Sequence, residues 1–134
     1  MMLLLGAFLV GHALIHVSYL TPAPPRTADG PEWPFEMARS WLITGVGLDS
    51  ALVSALGTAL VIATITLLVA AGLATVGWIV PIDWWRPLVV GGAVASALTL
   101  TMFFHPWILL GLAIDAALLW ATLVIGWSPA PAGT

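Results

Sequence analysis

The sequence predicts an all-α, polytopic integral membrane protein, with four transmembrane helices in an antiparallel bundle that forms a single membrane domain. Three observations predict it. Of the 134 residues, 61% are hydrophobic and 7% charged, against the roughly 25% charged that soluble domains carry. The three arginines and six acids leave uncharged runs at 1–25, 50–82, 87–114 and 116–134, each near or above the ~20 apolar residues that span a bilayer. The tryptophans, Trp120 excepted, fall near the ends of those runs, where aromatic belts meet the membrane surface.

The first crossing is expected over 2–20, ended by Thr21-Pro-Ala-Pro-Pro25, whose prolines cannot continue a helix. With no Arg or Lys before Arg26 it lacks the positive start of a signal peptide, so it reads as a membrane helix. An extramembrane loop follows at 21–45 and holds five of the nine charges. Residues 34–41 can form an interfacial helix there, with Trp33, Phe35 and Trp41 at headgroup level.

The almost continuous apolar stretch over 40–80 is twice a bilayer thickness at about 1.5 Å per residue. Gly45-Val-Gly-Leu-Asp-Ser50 divides it. The glycines permit the bend, and Asp49 reads as the N-cap of a second crossing over 50–78. Pro81-Ile-Asp-Trp-Trp-Arg-Pro87 makes a turn, with Asp83 as a cap and Pro87 in the first turn of a third crossing over 87–104. His105-Pro106 opens the fourth, over 106–127, and 128–134 is a frayed tail.

The absence of cysteine excludes disulfides, thiolate metal sites and cysteine redox chemistry. Three arginines and no lysine give nucleic acid no basic surface to bind. Arg26 and Arg39 on one side against Arg86 and the amino terminus on the other leave orientation close to a tie, with a slight lean to the long loop outside. The partners expected are the lipid bilayer and either further copies of the chain or other membrane subunits. In outline the chain is similar to small bacterial membrane proteins, a likeness that implies a bacterial cell membrane and supplies no activity.

His12 and His16 are the first candidates for chemistry, because residues at i and i+4 share one helix face. Counted from the helix end they lie roughly 12 and 6 Å inside the membrane face. Asp115, counted from Pro106, lies roughly 13 Å inside the same face. Asp49 and His105 border that face as well, so His12, His16, Asp115, His105 and Asp49 form one expected polar cluster.

Three readings of the cluster compete. In the first, His12 and Asp115 hydrogen-bond the first helix to the fourth as a structural clamp. In the second, His12, His16 and Asp115 hold a divalent metal such as zinc, iron or copper, with His105 or Asp49 completing the set. In the third, His and Asp exchange protons, as in a proton-coupled transporter or channel subunit. Haem is disfavoured, because two histidines one turn apart cannot bind opposite faces of the ring. The leading expectation is a non-enzymatic oligomer or accessory subunit, with a metal-binding or redox protein as the alternative.

Overall fold

The computed structural model describes residues 1–25 and 28–129, and is all-helical among them. Arg26, part of the orientation count, and residues 130–134 of the expected tail lie outside the described residues.

Helix α1 (Met2–Ile15) continues as a 3₁₀ turn, His16–Leu20. The loop that follows carries a second 3₁₀ turn, Met37–Arg39, and a short helix α2 (Trp41–Thr44) in place of the single interfacial helix expected. Ser40 Oγ donates to the Met102 carbonyl at 2.6 Å and Trp41 Nε1 to the Thr101 carbonyl at 2.8 Å. The loop is thereby pinned to the end of a later helix.

Helix α3 (Ser50–Val76) starts where expected, with the Asp49 carboxylate accepting from the Leu52 N–H at 2.9 Å. It stops at Gly77, whose φ of +69° is the left-handed conformation that glycine adopts without a Cβ clash. Helix α4 (Trp85–Met102) begins two residues before Pro87, after a 3₁₀ turn at Ile82–Trp84, and Asp83 does not cap it. A 3₁₀ turn at Pro106–Ile108 leads into α5 (Leu109–Leu119), which loosens into a π-helical turn over Trp120–Val124. Thr122 Oγ1 donates back to the Leu118 carbonyl at 2.7 Å within that turn, a back-bond that competes with regular helix pairing.

Three segments are long and apolar enough to cross a membrane: Met2–Leu20, Ser50–Val76 and Pro106–Val124. The fourth crossing expected corresponds to α4, an 18-residue helix that opens on Trp85, Arg86 and Pro87 and is not among these three. Helix α3 packs against both α1 and α4, and α5 packs on α4.

Close backbone approach explains the α1–α3 contact. A Cβ on Gly6 would lie 2.6 Å from Thr75 Oγ1 and 2.9 Å from the Gly72 carbonyl oxygen, and one on Gly72 would lie 2.9 Å from the Gly6 carbonyl oxygen. Neither position has room for a side chain. Gly11, beside His12, has nothing within 4 Å of its added Cβ.

The core is two apolar clusters with a polar layer between them. Leu9, Ala13, Leu68, Ala71, Ala74, Trp85 and Val89 form one, and Leu118 packs on it. Tyr19, Val53, Val61, Leu100, Phe103 and Ile108 form the other, with Leu112 against it. Along α3, α4 and α5 the residues left between the clusters include Thr64, Ser96 and Asp115, all 0% exposed. One tryptophan departs from expectation: Trp85 is buried, edge-on to Trp127 at 5.4 Å.

Candidate functional site

The polar layer is a closed ring of four contacts. His12 Nε2 meets Asp115 Oδ1 at 2.9 Å. The other carboxylate oxygen, Oδ2, is 2.5 Å from Ser96 Oγ, and that hydroxyl is 3.0 Å from His16 Nε2. His16 Nδ1 closes the ring on the His12 carbonyl oxygen at 3.2 Å. All four residues are buried.

Local structure makes the last contact available. In a continuing α-helix the His12 carbonyl would accept the His16 N–H. Here the chain tightens to 3₁₀ at His16, whose N–H turns to the carbonyls of Ala13 and Leu14. The His12 carbonyl is left to the His16 imidazole, and that bond fixes the ring's orientation. The two imidazoles stand edge to face, 5.4 Å between centroids.

Helix α5 reaches the ring through a single residue. Asp115 is its only fully buried position, and its two oxygens bond to α1 on one side and α4 on the other. Gly111, one turn earlier, lets α5 approach: a Cβ there would sit 2.8 Å from Leu100 Cδ1 and 3.9 Å from His12 Cε1. A cleft of about 140 Å³ opens beside the two histidines, lined also by Phe35, Leu100, Trp107 and Ile114.

Of the five residues expected in one cluster, His12, His16 and Asp115 come together and the other two do not. Asp49 is exposed and spends its carboxylate on the α3 cap. His105 caps the Pro106–Ile108 turn, its Nδ1 accepting from the Trp107 N–H at 3.2 Å. Both residues serve the backbone at a helix start, and neither has a hydrogen bond to the ring. Among the described residues no group of three or more His, Asp or Glu side chains is arranged to hold a metal ion. Within the ring, His12 and His16 turn their nitrogens to different partners rather than toward one point.

Ser96 is the residue of the ring that sequence reasoning missed. Its contact with His16 has the form of a nucleophile and base, yet its hydroxyl also meets Asp115, it is 0% exposed, and it does not line the cleft. Two more buried hydroxyls, Thr64 Oγ1 and Tyr19 Oη, have no partner among the described residues. No protein-family model, curated protein or solved structure matches the chain.

Proposed function

We propose that the chain is an integral membrane protein of a bacterial cell membrane with four crossings, α1, α3, α4 and α5. It works without enzymatic chemistry, as a homo-oligomer or an accessory subunit of a membrane complex. In this reading the His12–Asp115–Ser96–His16 ring is an intramembrane clamp that sets how the first, third and fourth crossings pack. At about 1.5 Å per residue α4 is roughly 27 Å long, close to the ~30 Å hydrocarbon core.

One observation carries the clamp: the only fully buried residue of α5 is its acid, and that acid is bonded to two other helices. Burying an aspartate at mid-membrane costs about 2.5–3.5 kcal/mol on insertion scales. Such a residue persists where partners satisfy it, and Asp115 has a partner at each oxygen. Exposed apolar side chains such as Leu4, Leu52, Leu56 and Leu110 suit lipid and neighbouring membrane helices.

The test compares Asp115→Ala with Asp115→Asn in the full chain. Both variants are expected in the membrane fraction, because neither adds a charge. After detergent extraction Asp115→Ala is expected to unfold more easily than Asp115→Asn, since the amide can still accept from His12 and donate to Ser96. Equal stability of wild type and Asp115→Ala would sink the clamp, and recovery in the soluble fraction would sink the membrane assignment. A native mass spectrum tests the assembly, which falls if the chain is a monomer with no co-purifying subunit.

A further inference from the structure

We propose that the ring binds one transferable proton, which passes between Asp115 on α5 and His16 at the end of α1 through the Ser96 hydroxyl. The proposal rests on the buried clamp described above and goes beyond it in assigning the cluster a ligand, the proton. It follows from counting hydrogens.

Each of the four contacts needs one hydrogen between its two heavy atoms. His16 Nδ1 faces a carbonyl oxygen, which only accepts, so Nδ1 carries a hydrogen. Ser96 has a single hydrogen and two acceptor-capable neighbours, Asp115 Oδ2 and His16 Nε2. With Asp115 ionised and both histidines neutral, three hydrogens serve four contacts. One contact then becomes two facing lone pairs inside a buried layer, and the cluster carries an uncompensated negative charge.

One further proton fills every contact and makes the cluster net neutral. It has two places to sit. On His16 Nε2 it gives an imidazolium that donates to Ser96, which donates to an ionised Asp115. On Asp115 Oδ2 it gives a carboxylic acid that donates to Ser96, which donates to a neutral His16. The two arrangements differ by a concerted shift: the Asp115 O–H bond breaks as a new Ser96 O–H forms, and the old Ser96 O–H breaks as the His16 N–H forms. No electrons are lost or gained, and no heavy atom has to move beyond the 2.5 and 3.0 Å contacts already in place.

Few other charges bear on this proton. From α1 the groups facing it are His12 and, one 3₁₀ turn on, Tyr19, whose ring is 6.3 Å from that of His16. Helix α5 has no other ionisable residue, α4 has only Arg86 in its first turn, and α3 has none beyond the exposed cap Asp49. Below the ring lies the apolar cluster of Leu9, Leu68, Trp85 and Val89. The cleft beside His12 and His16 opens the ring on the other side, which makes it a site where a proton binds.

Asp115→Asn provides the test, because an amide fills all four contacts without a movable proton: its oxygen accepts from His12 and its N–H₂ donates to Ser96. Side-chain nitrogen NMR of histidine in the full chain in bilayers is expected to show a partly protonated His16 Nε2 in wild type. The same nitrogen is expected to lose that proton completely in Asp115→Asn and to keep it in Ser96→Thr, which retains the hydroxyl. Identical His16 Nε2 signals in wild type and a folded Asp115→Asn would overturn the proposal. Wild type alone also decides: infrared spectra showing Asp115 fully ionised together with a neutral His16, or one fixed arrangement at all pH, would overturn it even if no variant folds. Loss of the relay with the clamp intact, and loss of the clamp itself, are separated by the unfolding comparison of Asp115→Ala.

Discussion

Ser96→Ala and Thr99→Val remove one hydroxyl each from α4, at positions that are both 0% exposed, and they should differ sharply. Thr99 Oγ1 donates to the Ala95 carbonyl at 2.9 Å, an oxygen within its own helix, so the isosteric valine leaves no side chain stranded. Ser96 joins two other helices. Its loss strands Asp115 Oδ2 and His16 Nε2 in a layer where neither finds another partner among the described residues. An orphaned buried polar group costs about 1–3 kcal/mol in a protein interior. Inter-helix polar contacts in membranes average nearer ~0.6 kcal/mol, because chains unfolded in lipid also find partners. Two stranded groups thus place Ser96→Ala at about 2–3 kcal/mol, or roughly a 30- to 150-fold change in the unfolding equilibrium. Thr99→Val belongs under about 0.5 kcal/mol. Both are read by reversible unfolding in mixed micelles, followed by tryptophan fluorescence. Coincident transitions for the two variants would refute the claim that Ser96 bridges α1 and α5.

The remaining predictions concern helix approach and the loop. Gly6→Val puts side-chain atoms where a Cβ alone already meets Thr75 Oγ1 at 2.6 Å and the Gly72 carbonyl at 2.9 Å, so it should destabilise by about 1–3 kcal/mol. Gly11→Ala, with open space around its Cβ, should instead stabilise by up to about 1 kcal/mol in the same unfolding assay. The Glu32 carboxylate 2.8 Å away holds the Arg39 guanidinium above its ordinary value. For a raised cation the stabilising term is complete below the ordinary arginine range and is lost only as pH rises past the raised value. A thermal midpoint that responds to Arg39→Gln at neutral pH more than at high salt and neutral pH would show the exposed pair to be an active contact. An unchanged midpoint in both salts is the expected result, since exposed pairs contribute little.

Part of the site was legible and part was not, for reasons that lie in the residues. His12 and Asp115 could be paired from depth alone, because each sits a countable distance from a helix end and each is rare in so apolar a chain. Ser96 stands in Gly91-Gly-Ala-Val-Ala-Ser96, where a serine is one small residue among several and carries no charge to mark it. The same depth count would have found it: nine residues before His105 puts it roughly 13 Å inside the same face. Asp49 and His105 were legible as helix caps but not as outsiders to the cluster, since depth does not say which way a side chain at a helix end turns. The Gly6–Gly72 crossing left no sequence signal, because the two glycines stand on different helices and neither belongs to a small-xxx-small pair. The 3₁₀ turn at His16–Leu20 directly precedes the prolines that end the segment, yet they do not say at which residue the tightening starts.

That tightening links the fold to the proton count. Had α1 stayed α-helical through His16, the His12 carbonyl would have kept its backbone donor, and the His16 ring would have been free to present either nitrogen to Ser96. The 3₁₀ turn commits Nδ1 as the donor to His12, leaving Nε2 as the one nitrogen that can be either acceptor or donor. Ser96, with one hydrogen and two neighbours, is then forced to point one way or the other, and Asp115 must take the complementary state. A change of backbone hydrogen bonding over one turn of α1 thus couples the protonation of a residue on α5 to that of a residue on α1. Apolar clusters above and below the layer penalise any net charge, which favours the neutral count of one shared proton over either the empty or the doubly loaded ring.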